Sequence, residues 1–358
     1  MPAAGLLGML LSYWSRSQKS GSYMEKKNSS AGASVQPWDR KTNKRLGYLP
    51  IAVASLKEDT AAPFNVYVVI DGRPTLFLAS GESFDLTYQK RHVEFGMPTI
   101  YVASESVDRY QRHMETRVVA MLNAQEGTPA VRAQLTHRTM ESLFELAWDK
   151  PESEEVGERI TRYMNGTLRH IARDRELNLQ LMDLMGRSKS VFHHSVNVCV
   201  YSLIIGGAVE SLEDREIVEL GIGGLVHDIG KLRISERILR KEINLTPKER
   251  DILRQHPRIG SELLGKNMKF PSASLFPVAQ HHERADGDGY PEKLELGEIH
   301  LYSRIVAIAN VFDHLTCGHE GRAGRNGFQA FHAMFADKGA YDQELLKKFM
   351  MQLVKSGG

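Results

Sequence analysis

The chain has 358 residues, of which 42% are hydrophobic and 25% charged, and its formal net charge is +2. This composition excludes collagen-like, disulfide-stapled and wholly disordered chains, and the length is enough for about two domains with a sizeable core. Two cysteines are too few for a disulfide framework, so we expect a reducing, cytoplasmic location.

Residues 1–47 are predicted to be a disordered basic tail. Residues 1–45 contain eight Lys and Arg against two acidic residues. The apolar run Ala3–Trp14 is shorter than the ~20 residues that a membrane-spanning helix needs, and no basic residues precede it as they do in a signal peptide. Weak contact with a membrane surface stays open for this tail, and no other segment is predicted to cross a membrane.

Residues 48–104 are predicted to form a small α+β regulatory domain. β-Branched and aromatic residues predict three strands, at Phe64–Ile70, Thr75–Ala79 and Thr99–Val102. A turn at Asp71-Gly72 joins the first two strands, and a helix is predicted at Phe84–Phe95.

The rest of the chain is predicted to be mostly helical. Residues 105–189 are assigned to a helical connector, with helices at Val107–Ala124, Val131–Trp148 and Val156–Met185. Residues 190–358 are assigned to a second domain. Apolar periodicity there predicts helices at Val191–Gly206, Asp214–Val226, Pro247–Leu264, Ser272–His281, Tyr302–Thr316, Gly327–Phe335 and Asp342–Val354.

A histidine and an aspartate follow one of these helices directly. The apolar run Ile217–Val226 leads into His227 and Asp228, which places an imidazole beside a carboxylate. Both groups bind divalent metals, and one carboxylate can bridge two ions ~3.5–4 Å apart. Lys231 follows within one turn, where it could contact an anionic substrate. A lone pair of this kind is more often a helix cap or a solvated pair.

The other histidines strengthen the metal hypothesis. Ten of the fourteen histidines lie between residues 191 and 332. His194 lies on an apolar helix, His256 precedes a proline, and His281 and His282 precede a glycine-rich loop. A buried imidazole needs a partner, and five histidines beside one aspartate are hard to explain by packing alone. We therefore predict a multinuclear metal site. Four others are assigned ordinary packing or surface roles: His193, His300, His314 and His332.

Two strings in this region resemble a known family. The sequence reads HDIGK from His227 and HHERADGDGYP from His281. Together they resemble the HD-GYP domain, a bacterial subfamily of the HD metal-dependent phosphohydrolases, over about residues 185–355. The resemblance implies an all-α helical bundle around a site of two or three metal ions, Fe or Mn. It also implies hydrolysis of cyclic di-GMP to the linear dinucleotide, GMP or both.

The resemblance also assigns roles to residues. The metal ligands that it implies are His194, His227, Asp228, His256, His281 and His282. Asp228 is expected to bridge two ions, and Lys231 to contact the substrate phosphate, so these two are the predicted catalytic residues. In the loop, Asp286, Gly289 and Tyr290 are expected to shape the substrate pocket.

Several positions depart from the family pattern. Ser190 stands where three-metal members carry a glutamate, which favours a two-metal site. Asn310 replaces the family's last metal-binding aspartate and is expected to be a weak, uncharged ligand, for which Asp313 could compensate. His319 stands at the position of a substrate-binding arginine, whereas Arg322 keeps a cation at the second phosphate-contacting position.

Three functional hypotheses follow. The first is an active cyclic di-GMP phosphodiesterase with two divalent ions. The second, favoured by Asn310 and His319, is a degenerate domain that binds cyclic di-GMP or a protein without turnover. The third is a metal phosphohydrolase of another nucleotide.

The resemblance and the helical connector also suggest partners. The connector is compatible with a homodimer, and the GYP loop or the N-terminal domain could bind signalling proteins. Nucleic-acid binding is not expected, because few aromatic residues lie within the basic tail.

Overall fold

The computed structural model describes residues 47–57, 60–70, 73–84, 99–185, 190–241, 244–266, 269–317 and 324–356. These residues fall into two compact units divided between Arg117 and Val118. Almost all of the predicted basic tail, the turn at Asp71-Gly72 and nearly all of the helix predicted at Phe84–Phe95 lie outside the described residues. The finer division into four segments stays a prediction.

The first unit contains an antiparallel four-stranded sheet. Its strands are β1 (Tyr48–Ile51), β2 (Val66–Ile70), β3 (Arg73–Leu78) and β4 (Ile100–Ala103), in the spatial order β1-β4-β2-β3. Alternate residues of β2 and β4 are fully buried, as expected for strands with one face on a core. The three predicted strands are confirmed, and β1 was missed because its four residues include a proline.

Most of the rest of the described chain is helical. The helices are α1 (Val107–Asn123), α2 (Pro129–Asp149), α3 (Glu154–Arg173), α4 (Arg175–Leu184), α5 (Val191–Gly206), α6 (Asp214–Val226), α7 (Glu236–Leu239), α8 (Pro247–Leu253), α9 (His256–Leu264), α10 (Leu275–Gln280), α11 (Leu301–Cys317), α12 (Gly327–Ala336) and α13 (Gln343–Ser356). The helical bundle predicted for the second domain is confirmed. None of these helices combines the length and the apolar character that crossing a bilayer requires.

Two predicted helices are each divided in two. The helix predicted at Val156–Met185 breaks at Asp174, whose side chain accepts the N–H of Leu177 and so starts α4 as a new helix. The helix predicted at Pro247–Leu264 breaks before His256, where Pro257 occupies the first turn of α9. This second break places His256 at a helix start, facing the end of α6.

Helix α5 lies at the centre of the second unit. Twelve of its residues are buried, and it packs against α2, α6 and α11. A helix that is apolar on all sides is typical of such a position. Helix α9 packs against α10 and against the 3-10 turn Ile229–Arg233, which follows α6. The ends of α6, α9 and α10 and one side of α5 thereby converge on the predicted metal ligands.

Candidate metal centre

Asp228 lies at the centre of the predicted ligands, with 1% of its surface exposed. Its oxygen Oδ1 lies 3.2 Å from Nε2 of His256 and 3.6 Å from Nε2 of His281. Its other oxygen, Oδ2, lies 3.4 Å from Nε2 of His227 and 3.7 Å from Nε2 of His194. Each carboxylate oxygen therefore faces its own pair of imidazoles, an arrangement that suits a carboxylate bridging two ions.

Three of these rings are oriented by the backbone. The Nδ1 atoms of His227, His256 and His281 each lie 2.8 Å from a carbonyl three or four residues earlier. A carbonyl oxygen only accepts hydrogen bonds, so Nδ1 carries the proton and the Nε2 lone pair faces Asp228. Metal-ligating histidines characteristically hold their second nitrogen in this way.

The lone pairs on the Oδ1 side converge closely. Nε2 of His256 lies 3.1 Å from Nε2 of His281, and both face the same oxygen of Asp228. Burial lowers the pKa of both imidazoles, that of His281 to about 4, so protonation does not supply the missing positive charge near neutral pH. A shared divalent cation would relieve this repulsion.

Several predicted ligand atoms are buried without any hydrogen-bond partner among the described residues. They are Nε2 of His194, Nε2 of His227, Oδ1 of Asp228 and Oδ1 of Asn310. Most buried polar atoms in proteins are paired, so four unpaired atoms in one ligand set indicate a missing partner. Imidazole nitrogen with carboxylate and amide oxygen suits Fe, Mn or Zn, and the residues present therefore fit the expected metals.

Asp313 orients His194. Its Oδ2 lies 2.6 Å from Nδ1 of His194, and its Oδ1 accepts hydrogen bonds from Asn197 at 2.9 Å and from Cys317 at 3.3 Å. Both oxygens are thus engaged by other side chains, and compensation for Asn310 by Asp313 stays a prediction. Ser190 caps α5 by accepting the N–H of His193 at 3.0 Å.

Lys231 contacts the carboxylate of Asp228. Its Nζ lies 2.6 Å from Oδ2 of Asp228, since the 3-10 turn brings the two side chains together. Burial alone would raise the pKa of Asp228, but the charge of Lys231 holds it well below its usual range. Asp228 is therefore ionised and able to bind cations.

An aromatic stack borders the metal ligands. The ring of His282 stacks on Tyr290, with centroids 4.5 Å apart and planes at 16°. The guanidinium of Arg254 lies 5.1 Å from the centroid of the same tyrosine ring. Sequence reasoning missed Arg254, although its position two residues before His256 is a signal that could have identified it.

Glu283 holds the loop that carries Tyr290. Its buried carboxylate accepts the backbone N–H of Glu292 at 2.7 Å and of Leu294 at 3.0 Å. A Cβ atom at Gly289 would lie 2.4 Å from the backbone nitrogen of Arg284, so glycine is required there. The predicted turn therefore depends on close backbone packing.

Asp286 makes its described contacts within the same loop. It pairs with Arg284 at 2.7 Å, and Arg284 also pairs with Asp337 at the end of α12. Its predicted contact with substrate stays a prediction. The two other predicted substrate contacts, His319 and Arg322, lie outside the described residues.

Comparison with known proteins gives consistent matches. Residues 188–345 match the family model described as HD domain. A cyclic di-GMP phosphodiesterase of Pseudomonas aeruginosa is 28% identical over 254 residues, covering 71% of this chain and 58% of the relative. A 3'3'-cGAMP-specific phosphodiesterase of Vibrio cholerae is 29% identical over 218 residues, covering 53% of this chain and 47% of the relative. The chain thus spans about half the length of these relatives.

A solved structure shares the fold. It is described as a HDG"Y"P protein from Bdellovibrio bacteriovorus and superposes with a TM-score of 0.62. The two sequences are 20% identical, and the match covers 84% of this chain and 98% of the other.

Proposed function

We propose that the chain, whose residues 188–345 match the HD domain model, is an HD-GYP protein that hydrolyses cyclic di-GMP at a two-metal site. The proposed products are the linear dinucleotide, GMP or both. The observation that carries the proposal is the carboxylate of Asp228, whose two oxygens face separate pairs of imidazoles. A carboxylate of this kind can hold two cations at the separation of about 3.5–4 Å that two-metal sites show.

The ligands divide into two sets that share Asp228. One set adds His256, His281 and His282, and the other adds His194 and His227. We assign the buried amide oxygen of Asn310 to the centre as a weak ligand, and the two ions as Fe or Mn. Two such ions, when bound, neutralise the charge of a phosphodiester and lower the pKa of a bound water.

Other side chains would bind and orient the substrate. Lys231 presents a cation beside Asp228, where a phosphate oxygen could bind. Arg254, whose guanidinium lies over the ring of Tyr290, presents a planar cation on which a guanine base could stack. We also assign substrate contacts to the loop positions Asp286 and Gly289. A homodimer and protein signalling partners stay predictions.

The test is a direct assay of turnover. The full chain is incubated with cyclic di-GMP in Mn(II), or in Fe(II) without oxygen, and the products are separated by chromatography. We expect conversion to the linear dinucleotide or GMP, and slower conversion of 3'3'-cGAMP. Faster conversion of 3'3'-cGAMP would reassign the substrate, since one relative is specific for that nucleotide. Tight binding without turnover under either metal would contradict the enzyme and favour a non-hydrolytic binding domain.

Asn310 supports that non-hydrolytic alternative, because its uncharged amide stands among the ligands. Replacing Asn310 with Asp adds a negative charge at a buried position whose oxygen has no partner among the described residues. We expect metal affinity to rise about tenfold, the scale of effects seen around metal ligands, and turnover to rise with it. Metal titration and the turnover assay measure both effects.

The matched control for this variant is Asn123→Asp. It adds the same charge away from the metal centre, at a position where Arg169 lies 2.7 Å from the side-chain oxygen. It should leave metal affinity and turnover unchanged. Unaltered metal affinity in Asn310→Asp would show that residue 310 does not contact an ion.

A further inference from the structure

A second group of metal-ligating side chains lies between α2 and the start of α5. It consists of His137, Glu141 and His193, whose ligand atoms all lie within 4.8 Å of one another. Among the described residues, it is the one such group that shares no member with the metal centre. His137 and Glu141 are four residues apart on α2 and therefore share a face, and His193 completes the group from α5.

The hydrogen bonds of His193 leave a lone pair directed at a carboxylate. Its Nε2 lies 3.2 Å from the carbonyl oxygen of Leu184, so Nε2 carries the proton. In the neutral ring Nδ1 then has a lone pair, and this atom lies 3.2 Å from Oε1 of Glu141. Two acceptors at this distance repel each other unless a proton or a metal cation lies between them.

The second oxygen of Glu141 faces His137. Oε2 lies 3.6 Å from Nδ1 of His137, a residue with 4% exposure whose Nε2 is buried without a hydrogen-bond partner among the described residues. Among the described residues, Glu141 pairs only with His137 and His193.

We propose that His137, Glu141 and His193 bind one divalent transition-metal ion, with Zn²⁺ as the best fit, separately from the catalytic centre. Two imidazoles and one carboxylate are a donor set that Zn²⁺ accepts. Ligand atoms around a tetrahedral zinc with bonds of about 2.0–2.1 Å lie roughly 3.3 Å apart. Each imidazole meets that spacing with its own oxygen of Glu141, His193 at 3.2 Å from Oε1 and His137 at 3.6 Å from Oε2, and all three ligand atoms lie within 4.8 Å of one another.

The position of this site gives the ion a structural role. His193 and His194 are adjacent on α5, and successive helical residues point in directions about 100° apart. An ion bound by His193 would connect the first turn of α5 to α2. The same turn contains His194, a proposed ligand of the catalytic centre. The site would therefore stabilise the placement of one catalytic ligand without contacting substrate.

The test counts zinc in the full chain. After equilibrium dialysis against Zn(II), we expect Glu141→Gln to contain one ion per chain fewer than the wild type. Glu145→Gln, which removes the same charge one turn along α2 and outside the cluster, should keep the wild-type number. An unchanged zinc count in a folded Glu141→Gln protein would overturn the proposal and leave a protonated histidine as the partner of Glu141.

A second measurement does not depend on any variant. Crystals of the wild type grown with Zn(II) should show an anomalous scattering peak among His137, Glu141 and His193. Peaks at Asp228 with none at this cluster would refute the second site while leaving the proposed phosphodiesterase centre intact. The converse pattern would support this site and count against the catalytic proposal.

Discussion

Replacing Asp228 with Ala is expected to remove the two proposed catalytic ions and to lower turnover of cyclic di-GMP by a factor on the order of a thousand or more. Asp228 is the carboxylate that the two sets of imidazoles share, and four ring nitrogens lie within 3.7 Å of its oxygens. Without this carboxylate the imidazoles have no negative charge beside them to help bind a cation. Lys231 also loses the oxygen that lies 2.6 Å from its Nζ. Metal analysis by mass spectrometry and the turnover assay measure both effects.

Two further variants sharpen this prediction. Asp228→Asn keeps the shape of the side chain and removes its negative charge. Because we expect that charge to hold the ions, this variant should also lose activity. Asp251→Ala removes an exposed acid on α8 and should retain metal content and turnover. Two ions per chain in purified Asp228→Ala would show that the carboxylate is not the bridge.

Replacing Gly230 with Ala is expected to lower the free energy of unfolding by about 3 kcal/mol, at the upper end of overpacking effects. A Cβ atom there would lie 1.9 Å from the carbonyl oxygen of His256 and 2.6 Å from the backbone nitrogen of Gly260. Both neighbours are backbone atoms, so no side chain can rotate away to make room. The turn that carries Lys231 would have to separate from α9. Denaturant unfolding measures the change.

A matched glycine in the same domain provides the control. A Cβ atom at Gly297 would meet nothing within 4 Å, so Gly297→Ala should leave stability close to that of the wild type. Metal content should fall in Gly230→Ala, because the displaced helix begins with His256. Equal unfolding free energies for the two variants would show that the contact of Gly230 with α9 is not tight.

Local features of the centre were predictable from the sequence. His227 and Asp228 are adjacent and follow an apolar helix, and Lys231 is three residues further, so backbone geometry alone places these groups together. The string from His281 to Pro291 indicated the family, and apolar periodicity predicted most of the helices. The breaks within two predicted helices were missed because a capping aspartate and a proline outweighed the periodicity.

Contacts between distant segments were not predictable. His194 and Asp313 are 119 residues apart, and nothing in their spacing shows that one orients the other. The stacking of Arg254 on Tyr290 also joins two segments that are distant in sequence, so it was equally unpredictable. His193, for which the sequence predicts an ordinary packing role, lies in a second cluster because α5 packs against α2.

The sequence by itself indicated the resemblance to a family, the residue types of the candidate metal centre and most of the helices that carry them. The tertiary structure alone decided which imidazoles face each oxygen of Asp228, and that His137, Glu141 and His193 meet. The physical reason is range: helical periodicity sets neighbours three or four residues apart, whereas side-chain packing between helices sets the angle and distance at which separate segments meet.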